Sequence, residues 1–74
     1  MGRLSGFRYP DVVRRLRSFG FAFDRHGKGS HEVWRHVVSG HRVTLSHHAG
    51  DIPEGTLRAI LREAGISVEE CLNA

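Results

Sequence analysis

The chain has one cysteine, two prolines, a single lysine and no long apolar run. Each shortage excludes something. With no second cysteine there is no internal disulfide and no multi-cysteine zinc site. Cys71 has no companion spacing and reads as an inert thiol in a reducing compartment. No segment approaches membrane-spanning length, and Arg3, Arg8, Asp11, Arg14, Arg15 and Arg17 interrupt any signal-peptide core. The expectation is a cytoplasmic protein with no membrane partner.

What is present fits one small globular domain over residues 1–74, with 39% hydrophobic and 26% charged residues. A chain of this length buries only about 60% of its unfolded surface, which leaves no room for a deep cleft. The formal charge is a modest +3, with 11 basic against 8 acidic residues and a sequence pI near 10.0. The composition of the basic set says more than its total. Ten of the 11 are arginine, whose planar guanidinium forks suit phosphate contacts and stacking on bases, so nucleic acid is the favoured partner.

Periodicity predicts the elements. Met1 to Gly6 reads as a short mobile arm. Pro10 and Asp11 open a helix with Val12, Val13, Leu16 and Phe19 on its apolar side, ending at Gly20. Phe21, Phe23 and Arg25 alternate with Ala22 and Asp24 as a first strand, with both phenylalanines inward. Gly27-Lys28-Gly29 turns the chain into a second strand from Ser30 to about Val37, and Ser39-Gly40 turns it into a third from His41 to Ser46. The bulk of Trp34 places its face towards the helices, which leaves His31, Arg35, Arg42 and Thr44 on an uncovered cationic face. Leu57, Ile60, Leu61 and Ala64 mark a helix that starts near Pro53 and closes at Gly65. Ser67-Val68-Glu69-Glu70 fits a capping box for a short last helix. The fold class is therefore α+β: helix, three-stranded antiparallel sheet, helix and short C-terminal helix, the order of double-stranded-RNA-binding domains.

The run Arg25 to His36 concentrates cations, glycines and imidazoles at the start of a strand. Two glycines around Lys28 let the backbone approach a ligand, and Ser30 sets a hydroxyl beside His31, which suits phosphate handling around one histidine. A plain polar hairpin turn fits the same residues. Arg58 and Arg62 lie four apart on the wet side of their helix, where like charges repel unless an anion bridges them.

Together, Lys28-Gly29-Ser30-His31-Glu32-Val33-Trp34-Arg35-His36, Arg42-Val43-Thr44 and the segment from Gly55-Thr56-Leu57-Arg58 to Ser67 closely resemble the HicA (YcfA-like) toxin family, from about Pro10 to the end. The family often carries a Pro-Asp-Gly turn where this chain has Val37-Val38-Ser39-Gly40, and often a proline where it has Ser46. The resemblance implies an RNA-cleaving type II toxin with a double-stranded-RNA-binding-domain-like fold. It also implies a cognate HicB-type antitoxin that silences the toxin by covering the active site. The family's catalytic histidine falls on His31, with Gly29 and Ser30 matching beside it.

A base that removes a ribose 2′-hydroxyl proton needs no metal or cofactor, and cations stabilise the charge that develops. On this expectation His31 is the general base, and Lys28, Gly29, Ser30, Arg35, Arg42, His47, Arg58 and Arg62 contact messenger RNA. His47 is either a second proton-transfer group or a loop residue. It neighbours His48 in sequence, and the two side chains point opposite ways on extended backbone, so they do not clasp one metal. A zinc site from His31, His36 and His47 lacks any supporting carboxylate or cysteine. The alternative function is a non-catalytic RNA-binding module using the same face.

Overall fold

The computed structural model describes residues 3–47 and 50–74. The elements follow the expected order: α1 (Tyr9–Ser18), β1 (Phe21–His26), β2 (His31–His36), β3 (Arg42–Ser46), α2 (Glu54–Ala64) and α3 (Val68–Asn73). The strands form one antiparallel sheet in the order β1-β2-β3. Helix α1 starts one residue before Pro10, and the Asp11 carboxylate accepts a hydrogen bond from the Arg8 amide at 3.0 Å. That bond holds the Asp11 carboxyl below its usual range. Gly20, at φ +91°, takes the chain from the helix into β1; there the missing side chain also makes room for the His36 ring, whose Nε2 would stand 2.9 Å from a Cβ.

Both long helices pack on one side of the sheet. Val12 and Leu16 of α1, and Leu57, Ile60 and Leu61 of α2, meet Phe21, Trp34, Val43 and Leu45 in a single core. Helix α2 ends in a Schellman motif, with Gly65 at φ +74° and the Ile66 amide bonded to the Leu61 carbonyl at 3.0 Å. The Ser67 capping box is present in both directions, at 3.0 Å and 2.9 Å. Cys71 is buried, which pushes its thiol up against the opposing pull of Arg15, as expected of an inert cysteine.

Three expectations are corrected. The N-terminal segment is no arm: Leu4 is fully buried and Phe7 nearly so, the Ile52 amide bonds to the Phe7 carbonyl at 2.7 Å, and Arg8 bridges to Asp51. Two apolar side chains bound to the core outweigh the entropy of ordering a short segment; Met1 and Gly2 lie outside the described residues. Phe23 lies 43% exposed rather than in the core, on a strand at the edge of the sheet with a neighbour on one side only. The second strand stops at His36, whose Nδ1 accepts hydrogen bonds from the Val38 and Ser39 amides at 3.2 Å and 3.1 Å. That ring caps the turn, which leaves Val37 and Val38 exposed.

The buried N-terminus predicts that Leu4→Ala costs about 2–5 kcal/mol in urea unfolding. A mobile arm would tolerate the same change without loss.

Candidate functional site

Alternation along β2 sends Glu32 and Trp34 under the helices and His31, Val33 and Arg35 to the uncovered face. Register adds their neighbours from β3: His31 opposes Ser46, Val33 opposes Thr44, and Arg35 opposes Arg42. His31 starts the strand directly after a tight turn, in which its amide bonds back to the Lys28 carbonyl at 3.0 Å. Gly29 occupies the first central position at φ +59°, a conformation that favours glycine, and Ser30 the second. Gly27 packs alongside, where a Cβ would stand 3.4 Å from the His31 Cβ. The glycines therefore shape the hairpin that presents an exposed imidazole at its root.

A bulge between Phe23 and Arg25 changes which charges accompany it. Phe23 pairs with Trp34 and Arg25 with Val33, so Asp24 is the extra residue and parity flips after it. Arg25 joins the uncovered face, diagonal to His31, while His26 turns to the helix side opposite Glu32. Asp24 partly neutralises Arg25 through an exposed ion pair at 2.6 Å. Arg35 and Arg42 stand directly opposed, and neither has an acidic partner among the described ion pairs. Two like charges across a strand pair are unfavourable alone and favourable around an anion. They lie four residues along the strand from His31, about 13 Å.

On the helix side of the same sheet end sits a buried carboxylate. Glu32, 9% exposed, accepts hydrogen bonds at Oε1 from both the Tyr9 hydroxyl and the Trp34 indole, the latter at 3.2 Å. Oε2 takes neither bond and stands 4.0 Å from the His47 Nδ1. The Tyr9 and His47 rings are stacked at 4.2 Å, and the Arg17 guanidinium covers the Trp34 ring at 5.1 Å. Burial raises the Glu32 carboxyl, but the Tyr9 and Trp34 hydrogen bonds and the nearby imidazoles of His47 and His26 together bring it below its usual value. Tyr9 is pushed up to about 12 by burial and then by Glu32, against the pull of Arg17, so it stays a phenol and a donor.

The sequence-derived set thus divides. Lys28, Gly29, Ser30 and His31 share the hairpin, and Arg35 and Arg42 lie further along the same face. His47 bonds through its amide to the Ser30 carbonyl at 3.0 Å, but its ring lies on the helix side with Tyr9. Arg58 and Arg62 line a separate groove of about 220 Å³ with Leu61, Ile66, Ser67 and Val68, away from the open face. His36 is committed to its turn, and the described residues contain no group of three metal-ligating side chains. His48 lies outside the described residues. Sequence reasoning missed Arg25, because no local signal marks a bulge at Asp24. It also missed the Tyr9–Glu32 pair, whose members are 23 residues apart; an acid in the inward register of β2 was the available clue.

A sheet covered on one side by helices, with an exposed histidine and a row of cations on the other, defines an α+β domain of the double-stranded-RNA-binding-domain type. A family model described as HicA toxin of bacterial toxin-antitoxin matches residues 9–66, more than half of the chain, and the chain belongs to that family. HicA toxins are RNA-cleaving toxins of toxin–antitoxin systems. A comparison with curated proteins gives no match. Among the described residues, no helix is long and apolar enough to cross a membrane.

The Glu32 carboxyl sets a pH signature. Its folded value is depressed, so its contribution to stability is complete above the ordinary glutamate range and is lost as pH falls through the folded value. Glu32→Gln should cost about 1–3 kcal/mol near pH 7, and the gap to the parent should narrow below about pH 4 in denaturation curves taken across pH.

Proposed function

We propose that the chain is an endoribonuclease that cuts messenger RNA with His31 as general base. The observation that carries this reading is the exposed His31 imidazole at the root of a glycine-shaped hairpin, on the same face as Arg25, Arg35 and Arg42. RNA lies along that face. His31 takes the 2′-hydroxyl proton, the freed oxygen attacks the adjacent phosphorus, and the bond to the 5′-oxygen breaks as that oxygen leaves with its electron pair and takes a proton from water, giving a 2′,3′-cyclic phosphate and a 5′-hydroxyl. Lys28, in the turn that leads into His31, and Arg25, diagonal to it, offset charge at the attacked phosphate, and the Arg35–Arg42 pair grips a phosphate further along. The Ser30 hydroxyl orients the imidazole or bonds the substrate. None of these steps uses a metal.

One general base contributes roughly 10²- to 10⁴-fold. With the His47 ring turned to the helix side, His31 has no imidazole beside it on the open face among the described residues, which favours a slow enzyme. The same division keeps the second reading in view, a non-catalytic RNA-binding module. A HicB-type antitoxin covers the His31 face, presenting acidic or apolar groups to the arginines. The working compartment is the cytoplasm, where messenger RNA is.

His31→Ala should abolish cleavage of labelled RNA and growth arrest, with stability within about 0.5 kcal/mol of the parent because the side chain is exposed. Cleavage by the parent should persist in chelator. Retained cleavage by purified His31→Ala protein would overturn the assignment, and intact RNA with undiminished binding by the parent would select the binding module. Separately, Arg35→Ala or Arg42→Ala should weaken single-stranded RNA binding and make log K less steep in log salt by about 0.7 for each phosphate no longer neutralised. Unchanged salt dependence in both variants would remove these arginines from the RNA path.

A further inference from the structure

The uncovered face accounts for contacts to a phosphate backbone and for proton removal. It offers nothing that distinguishes one base from another. The other side of the same sheet end does, and the residues there have no part in the step assigned to His31. Glu32 spends one oxygen on its two internal donors and leaves the other without a hydrogen bond among the described residues. No buried side-chain nitrogen or oxygen among the described residues is left unsatisfied, so Oε2 is not sealed off from solvent. Beside it stands the His47 ring, its side chain 61% exposed, with one face on Tyr9. The ring's second face meets no aromatic ring among the described residues and is the one offered for stacking. Phe23, exposed on the same side and edge-on to both Trp34 and His26, extends the aromatic wall.

An exposed aromatic face next to a fixed hydrogen-bond acceptor fits an unstacked nucleobase, the usual target of base-specific RNA recognition. We propose that this corner is a base-recognition subsite. A base stacks on the outer face of His47 and donates an exocyclic amino hydrogen to Glu32 Oε2. The acceptor sets the class of ligand. Adenine, cytosine and guanine carry such an amino group, whereas the single ring N–H of uracil in its nucleotide is flanked by two carbonyls that a carboxylate repels. The position is apt as well: His47 follows Ser46, the cross-strand partner of His31, and is tied to Ser30 by its amide. A nucleotide held there has its backbone over the Lys28–His31 hairpin.

This inference rests on RNA being the ligand and deepens that reading, but it does not depend on cleavage. Trp34 supplies the readout, since it is the only tryptophan and its indole donates to the same carboxylate. AMP, CMP, GMP and UMP are titrated separately into the parent protein while Trp34 fluorescence is followed. The three amino-bearing nucleotides should bind about tenfold more tightly than UMP. His47→Ala should weaken all four by about tenfold, and His47→Phe should restore stacking. In Glu32→Gln the Tyr9 and Trp34 donors fix the amide oxygen at the Oε1 position and leave an NH₂ group at the open one. The preference should then move towards UMP, with circular dichroism checking that the variant is folded. Equal affinity for all four nucleotides in the parent, or unchanged affinity in His47→Ala, would overturn the subsite. Because binding is read directly, an active nuclease can fail this test, and a chain that cuts no RNA can pass it.

Discussion

Burial of the Trp34 indole decides which way every side chain of β2 points. Strand periodicity is two, so a slip of one residue would carry Trp34 into solvent and His31 and Arg35 beneath the helices. Glu32 would turn over with it and lose the hydrogen bond from the Tyr9 hydroxyl, which comes from α1 on the helix side. Apolar burial and a charge-assisted hydrogen bond therefore select the same register. The exposure of the imidazole on the opposite side follows from that choice. A large side chain that never meets solvent thus orients one that must.

How legible this was depends on the kind of interaction. The core side of β3 could be read from Val43 and Leu45, and α2 from Leu57, Ile60 and Leu61, because burial repeats with the period of the element. The Gly27 to Ser30 turn could be read because left-handed backbone needs glycine. Pairings that depend on distant chain meeting distant chain left little trace. Leu4 looks like any residue of a loose terminus until the start of α2 lies beside it, with its amide 3.3 Å from a Glu54 oxygen. The bulge at Asp24 is a register event, and alternation in one strand carries no information about how many residues its neighbour sets against it. In the candidate site, the hairpin and the arginines of β2 and β3 were therefore visible in the sequence, whereas Arg25 and the Tyr9–Glu32 contact were not.

The electrostatics divide between the two sides of one thin sheet. On the outer side, cations face solvent and one another, and Asp24 is the acid paired with Arg25 there. On the inner side, the negative charge of Glu32 is held by neutral donors, with imidazoles and Arg17 around it. The cationic side is the less stable arrangement in isolation and gains most from a polyanion or an acidic protein surface. The anionic side is already satisfied at one oxygen and has capacity for one further donor. The domain thus presents two chemically different surfaces within the width of a β-hairpin.

The extra residue at Asp24 also sets that division. Parity in β1 reverses after it, so Arg25 lies outside and His26 inside. A codon lost here would run Phe23 straight into Arg25 and leave Arg25 opposite Val33 and His26 opposite Glu32, each on its present face. A single in-frame deletion in the gene would thereby free Arg25 of its acidic neighbour without turning either side chain over, a gain in exposed positive charge at no cost to the pairing of the sheet.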